Sequence, residues 1–306
     1  MQKINCVIVT FNRLILLKEC INAVQNQSYP ILKIIVINNA STDNTRDYLT
    51  SLSPELFEIV NLEKNTGGAG GFNAGLKKSV EYNADWTWVM DDDTIPNRDA
   101  LEKLVNKIDT VENTGFLCSK VLYTDGTVHK MNNSRPPLYI HDIAYSQYTD
   151  NNILLFNKTS FVSCLINNRA IKKVGFPISE LFIWSDDIEY TERITNAGYF
   201  GIFVPESNVV HKTANNYSTS LVDSDSGVFW KFYYGQRNEI YFLRKKSKTL
   251  KFCFKFLKEV SFRARQCLKN KNGSLKLLII VIRGCFSGLF FNPGIEYYHS
   301  GRGDND

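Results

Sequence analysis

Several things are scarce in this sequence, and each scarcity narrows what the chain can be. Its 306 residues include 8 prolines, 3 methionines and 4 histidines. Seven cysteines (Cys6, Cys20, Cys118, Cys164, Cys253, Cys267, Cys285) are odd in number, scattered, mostly set in apolar runs, and form no Cys-x-x-Cys pair. That argues against a disulfide framework or a zinc knuckle and for reduced core thiols in a cytosolic protein. No charged segment followed by an apolar one opens the chain, so no signal peptide is expected. No run of 18 uncharged apolar residues occurs either: the best stretch, 275–291, is interrupted by Lys276 and Arg283, which removes the expectation of a spanning helix. Disorder is excluded by an ordinary 43% hydrophobic content, enough for a full core.

What is present is unevenly distributed. The net charge of +5 divides into 16 Lys and Arg against 5 Asp and Glu in residues 227–306, and 20 against 26 before them. Two surfaces with different partners are implied. Residues 3–10, 34–37, 57–62 and 86–90 are short β-branched or aromatic runs. Between them lie segments with helical spacing: 14–26, a stretch after Ser41-Thr42-Asp43 to about 52, and one opened by glycines and reaching 82. Strands alternating with helices predict an α/β fold with a mostly parallel, doubly wound sheet. On such sheets ligands bind at the carboxyl ends of strands. Here those ends carry Thr10-Phe11-Asn12-Arg13, Asn38-Asn39, residues 65–71 and Asp91-Asp92-Asp93.

Further on, a helix is expected over 97–111 and a hairpin at Asp125-Gly126. Residues 131–160, rich in Asn, Tyr and Pro, read as a functional loop and a candidate acceptor-side flap. Strands follow at 161–166, 201–204 and 208–211, and the polar segment 212–226 is expected to be flexible. From 227 the pattern becomes helical, with Lys and Arg interleaved with Phe. That fits an anionic membrane surface, with 277–291 dipping into the interface; the plainer reading is a helical subdomain packed on the core. No nucleic-acid motif accompanies the charge. The expected division is 1–226 and 227–306, the helical part offering a surface for homo-oligomers.

Three constellations carry chemistry. The run Gly67-Gly68-Ala69-Gly70-Gly71 lacks the dinucleotide fingerprint and the phosphate-loop Lys-Ser/Thr, yet it opens a helix one unit before three carboxylates. Those carboxylates end a strand, where unpaired anions are costly to desolvate and a divalent cation removes the cost. Asp91 and Asp93 point the same way and can share the ion, while Asp92 faces elsewhere. Asp186-Asp187-Ile188-Glu189 after Trp184 reads either as helix N-terminal acids or as a site for a general base. His211, at a strand end, is a core residue or a third metal ligand.

Taken together, Val9-Thr10-Phe11-Asn12-Arg13, the Asn38-to-Asp43 turn, Asn65-Thr66 with the glycine run, the triple Asp and Trp184-Ser185-Asp186-Asp187 resemble the GT-A-fold inverting glycosyltransferases of family 2. Bacterial galactofuranosyltransferases and their rhamnosyltransferase relatives are most similar. The resemblance covers about residues 3–215. It implies a nucleotide-sugar pocket lined by Thr10, Arg13, Asn38 and Asn65, with Gly67, Gly68, Gly70 and Gly71 close to the sugar diphosphate and Asp92 on the same side. It implies Mn2+ or Mg2+ held by Asp91, Asp93 and His211, and Asp187 as general base. Trp184 and Asp186 fall on the acceptor side. Asn38 stands where many relatives carry Asp, which loosens the nucleoside preference.

The expected function is inverting transfer of galactofuranose from UDP-galactofuranose to a glycan or lipid-linked glycan, in the cytoplasm at the inner face of the membrane. Rival expectations are a rhamnosyltransferase using dTDP-rhamnose, a non-catalytic glycan-binding protein and a nucleotidyltransferase.

Overall fold

A computed structural model describes residues 1–132, 135–216 and 220–299. The chain runs β1 (Ile4–Thr10), α1 (Leu14–Gln25), β2 (Lys33–Asn38), α2 (Thr45–Thr50), β3 (Phe57–Asn61), α3 (Gly67–Glu81), β4 (Trp86–Asp91), β5 (Thr94–Pro96), α4 (Ala100–Val105) and β6 (Thr114–Leu122). It continues through β7 (Tyr139–Ile140), β8 (Ile143–Ala144), β9 (Leu154–Phe156), β10 (Cys164–Asn167), α5 (Asn168–Val174), α6 (Asp186–Asn196) and β11 (Phe200–His211). Three helices follow: α7 (Phe229–Lys245), α8 (Thr249–Leu268) and α9 (Ser274–Phe290).

The central sheet has the order β3-β2-β1-β4-β10-β6-β11-β5, with β9 on β11. Its first four strands are parallel, as the alternation of strands and helices predicts. β10 enters antiparallel between β4 and β6, and β5 and β9 run antiparallel to β11. Strand alternation sorts the core into two layers. Ile4, Cys6 and Ile8 of β1 face α1 and α4, whereas Val7 and Val9 face α3 and α5. All seven cysteines are free, and only Cys253 is exposed.

Some expectations shift. The helix expected over 97–111 is the shorter α4 followed by a single tight turn at Ile108–Thr110. The segment 131–160, expected as a flap, is largely packed: β9 joins the sheet, and Ile140, Ile153 and Leu155 lie in the core. Only its two ends approach the cavity described below, and residues 133 and 134 lie outside the described part, as do 217–219 of the segment expected to be flexible.

The C-terminal helices have their own apolar cluster, built on Phe229, Phe232, Ile240, Leu277 and Val281. After α9 the chain returns as a strap. The Phe176 amide donates to the Glu296 carbonyl at 2.8 Å, Lys77 pairs with the Glu296 carboxylate, and the Lys172 ammonium lies 5.1 Å from the Tyr298 ring centre.

Candidate active site

A cavity of about 850 Å3 opens at the carboxyl ends of β1 and β4. Register explains its polar floor. Val9 pairs with Asp91 and Thr10 with Asn38, so residues just beyond these strands emerge side by side. The Thr10 hydroxyl donates to Asp92 at 2.7 Å, and Arg13 Nη1 donates to Asp93 at 2.6 Å and to Asp92 at 3.3 Å. Thr10 and Arg13 therefore line the cavity while ordering the acidic turn.

His211 reaches this turn through β11, where it pairs with Thr94 across an antiparallel register. Asp91, Asp93 and His211 each bring a ligand atom within 4.8 Å of the others. The set fits a divalent cation on two observations. Asp93 Oδ1 is buried without a hydrogen-bond partner, and His211 Nε2 stands 3.2 Å from it. The other ring nitrogen, Nδ1, lies 2.9 Å from Asn132 Oδ1, while Asn132 Nδ2 donates to Ser160 Oγ at 2.9 Å. Asn132, oriented by Ser160, accepts the Nδ1 proton, so Nε2 is the ring nitrogen that would give its lone pair to a cation bound beside the carboxylates.

Electrostatics agrees with a site that lacks charge balance. Burial first and Asp93 second push Asp91 up to about 7, and burial raises Asp92 to about 6 against the Arg13 charge. Burial works to raise Asp93 too, but His211 and Arg13 outweigh it and hold its pKa below the ordinary carboxylate value. His129, which the sequence reading did not single out, packs against His211 with ring centres 4.6 Å apart and the planes tilted by 36°. Burial and the neighbouring His211 lower its pKa to about 4, so it serves as a neutral platform. The Asp125-Gly126 hairpin, closed by the Tyr123 amide on the Thr127 carbonyl at 2.8 Å, brings it there.

The opposite wall is the segment leading into α6. Phe182, Trp184 and Ser185 have φ of 65°, 66° and 69°, and α6 then opens with Asp186 and Asp187. Asp187 lines the cavity, and its Oδ1 accepts from the Ile188 amide at 2.7 Å. Burial raises Asp187 to about 6, while backbone donors oppose the shift. Asp186 is pushed well above the ordinary carboxylate range, by burial first and the Asp187 charge second. Glu189 belongs to the scaffold: it pairs with Arg193 at 2.9 Å, and Arg193 also binds the carbonyls of Val174 and Phe176.

Three expectations for the nucleotide side are corrected. Asn38 is 2% exposed, donating to Asn61 at 2.8 Å and accepting from the Ser41 amide at 3.0 Å, so its amide is consumed internally. Its neighbour Asn39 lines the cavity instead and holds the Gly67 carbonyl at 2.9 Å. Gly70 and Gly71 are absent from the cavity wall; a Cβ there would meet Thr66 Oγ1 at 2.3 Å and Val9 Cγ1 at 2.4 Å. These glycines let α3 close onto its own cap and onto β1. Gly67 and Gly68 do line the cavity, as does Asn65, which accepts from the Gly67 amide at 2.8 Å.

Sequence reading also missed the contribution of α7. Trp230, Lys231, Phe232 and Gln236 complete the wall beside Trp184. Gly235 lets the Trp184 ring lie against the helix, since a Cβ would come within 2.7 Å of its ring.

The profile of the family described as "Glycosyl transferase family 2" matches residues 6–172. The chain is 25% identical over 197 residues to galactofuranosyltransferase GlfT1 of Mycolicibacterium smegmatis, covering 63% of this chain and 65% of that protein. It is 34% identical over 112 residues to the uncharacterized glycosyltransferase YwdF of Bacillus subtilis, covering 36% of this chain and 40% of the relative. The chain thus spans less than two thirds of the length of these curated relatives.

Among solved structures, the fold matches a mannosyltransferase from Pyrobaculum calidifontis in complex with GDP-Man and Mn2+, with a TM-score of 0.54 at 15% identity over 95% of this chain and 76% of that one. It also matches GalNAc-T7 with UDP, GalNAc and Mn2+, with a TM-score of 0.57 at 16% identity over 78% of this chain and 51% of that one. At such identities the likeness is one of fold: a GT-A arrangement with helices at the C-terminus.

Proposed function

The chain belongs to glycosyl transferase family 2, and on that premise we propose that it transfers a sugar, with inversion, from a nucleotide-sugar donor to a glycan acceptor. The observation that carries this reading is one continuous cavity with Asp91, Asp93, His211 and Arg13 on one wall and Asp187 on the other. A cation-binding set for a diphosphate and a separate carboxylate for an incoming hydroxyl are what a single displacement requires.

In this mechanism Asp187 accepts the proton of an acceptor hydroxyl as that oxygen bonds to the anomeric carbon. The nucleoside diphosphate departs on the opposite face with the bonding pair. A pKa raised to about 6 keeps Asp187 basic enough to take the proton yet ionised at neutral pH. Arg13 and Lys231 supply positive charge beside the departing diphosphate. A divalent cation, Mn2+ or Mg2+, held by Asp91, Asp93 and His211 would supply Lewis-acid stabilisation of that charge. Trp184 offers the acceptor an apolar face, and Asp186, whose pKa burial and the Asp187 charge raise, lies beside it on the cavity wall.

The donor we infer is UDP-galactofuranose, supported by the glycine and triple-Asp motifs and by the galactofuranosyltransferase named above. The acceptor we infer is a lipid-linked glycan of a growing cell-surface polysaccharide, met at the inner face of the cell membrane. No helix of the described residues is long and apolar enough to cross a membrane. An exposed stripe supports peripheral contact instead: Leu250, Phe254 and Leu257 on α8, and Leu275, Ile279, Phe286 and Phe290 on α9, flanked by Lys251, Lys258, Lys276 and Arg283.

Turnover of a panel of nucleotide sugars with a synthetic lipid-linked acceptor, read by product mass and linkage, tests the reading. UDP-galactofuranose is expected to be consumed. Consumption of dTDP-rhamnose alone would replace the donor. Release of pyrophosphate from a nucleoside triphosphate would replace the reaction. Asp187→Asn is expected to lower kcat by about 10²–10⁴-fold while Mn2+-dependent UDP binding persists. An unaltered chain that transfers no sugar from any donor leaves only a glycan-binding role.

A further inference from the structure

The family match ends at residue 172, short of Asp187 and of all three C-terminal helices. The segment that delivers Asp187 is nevertheless not self-supporting. Three of its residues, Phe182, Trp184 and Ser185, lie in the left-handed region without being glycine, a conformation that persists only where surrounding contacts impose it.

Those contacts come chiefly from α7. Asn238, with no exposed surface, donates its single Nδ2 group to the carbonyls of Leu181 and Trp184 at 3.0 Å each and of Ile183 at 3.3 Å. Arg237 Nη2 donates to the carbonyls of Glu180 at 2.6 Å and Leu181 at 3.1 Å. The guanidinium is itself held by Asn238 Oδ1, at 3.1 Å from Nε and 3.0 Å from Nη2. The remaining carbonyl, that of Phe182, accepts from the Ala69 amide at 3.1 Å. Every backbone carbonyl of residues 180–184 is therefore engaged, four of them by two adjacent side chains of one helix. Neither Arg237 nor Asn238 lines the cavity, so neither is placed to touch a substrate.

We propose that Arg237 and Asn238 are positioning residues for Asp187. By engaging the carbonyls of the preceding turn, they fix where the carboxylate enters the cavity, and this makes α7 part of the catalytic machinery. The inference rests on Asp187 being the general base.

The test uses the full-length chain with the donor and acceptor that the unaltered chain turns over. Asn238→Ala, which strips the Ile183 and Trp184 carbonyls of their donor and leaves Leu181 to Arg237, is expected to lower kcat about a hundredfold, the scale on which small misplacements act. The donor KM, and UDP affinity measured by calorimetry with Mn2+, are expected to change by less than about threefold, because the donor wall stands on the sheet. The acid limb of the kcat profile is expected to move as the Asp187 environment loosens. Arg237→Lys, which keeps a cation and a donor, is expected to show the same split more mildly, and it decides the matter where Asn238→Ala does not fold.

A kcat that stays within about twofold of wild type overturns the positioning role. So does a loss of kcat matched by equal loss of UDP affinity and of thermal stability, which marks a purely structural pair. Absence of transfer by the unaltered chain defeats the functional reading and the inference together. Wild-type turnover by both variants defeats the inference alone.

Discussion

At the scale of single residues, Asp187 sets the expected pH response. Only its ionised form takes a proton, and burial lifts its pKa to about 6. The rate is therefore lost as pH falls through that value: kcat/KM should be level above about pH 7 and drop close to tenfold per unit below about pH 5. Initial rates in buffers of constant ionic strength check this, and a limb near 4 would show that burial does not govern the group. Sequence alone left Asp187 balanced between helix acid and base, since both readings need only a carboxylate before a helix. Burial and a place on the cavity wall are what support the base reading proposed above. The two asparagines at 38 and 39 show the opposite case. A strand end points neighbouring side chains to opposite sides, and nothing in the letters says which faces the ligand. His129 and Asn132 gave no signal, because their value depends on a fold that brings them to His211 from about eighty positions away.

Among the elements, α3 shows how a motif can be legible and its reason hidden. The glycine run announces close approach, and close approach is present, but mostly to the protein itself. A Cβ on Gly67 would stand 2.0 Å from the Phe182 carbonyl oxygen, in a backbone with φ of 72°. Gly67→Ala is therefore expected to cost about 3 kcal/mol or more in chemical unfolding, as overpacking and backbone strain add. Gly68→Ala, whose Cβ meets nothing within 4 Å, should change stability by less than about 0.5 kcal/mol. Equal effects at the two positions would refute the packing account. The parallel strands were legible because buried β-branched runs alternate with helical spacing. The antiparallel insertion of β10 was not, because pairing order is a long-range choice that local pattern does not encode. For the same reason α7 read as part of a helical region for a membrane surface or for packing on the core, with no sign that it lines the cavity.

For the molecule as a whole, the charge asymmetry acquires an address in α8 and α9. Leu250 and Phe290 are 88% and 85% exposed, and α8 carries Lys251, Lys255 and Lys258. Vesicles containing phosphatidylglycerol should bind the chain more tightly than neutral ones, with affinity falling as salt rises. Replacing both Phe254 and Leu257 with Glu removes two side chains worth about 1.5–3 kcal/mol each on full burial, so vesicle binding should fall at least tenfold. Because both are exposed, unfolding stability should change little, and unchanged co-sedimentation would exclude this face as the contact.

The strap beyond α9 bears on the order in which the chain folds. Its pairing of Lys77 with Glu296 closes a sequence separation of 219 residues, so the entropy of that closure is met only after the sheet and the helices exist. The strap should be the last piece to dock and the first to fray. The turn before Asp187 must likewise wait for α7, synthesised some fifty residues later. A nascent chain can thus hold a complete sheet, and even its acidic strand end, well before the turn that carries Asp187, the proposed base, is fixed. On the proposed reading, the order of synthesis itself delays the moment at which transfer becomes possible.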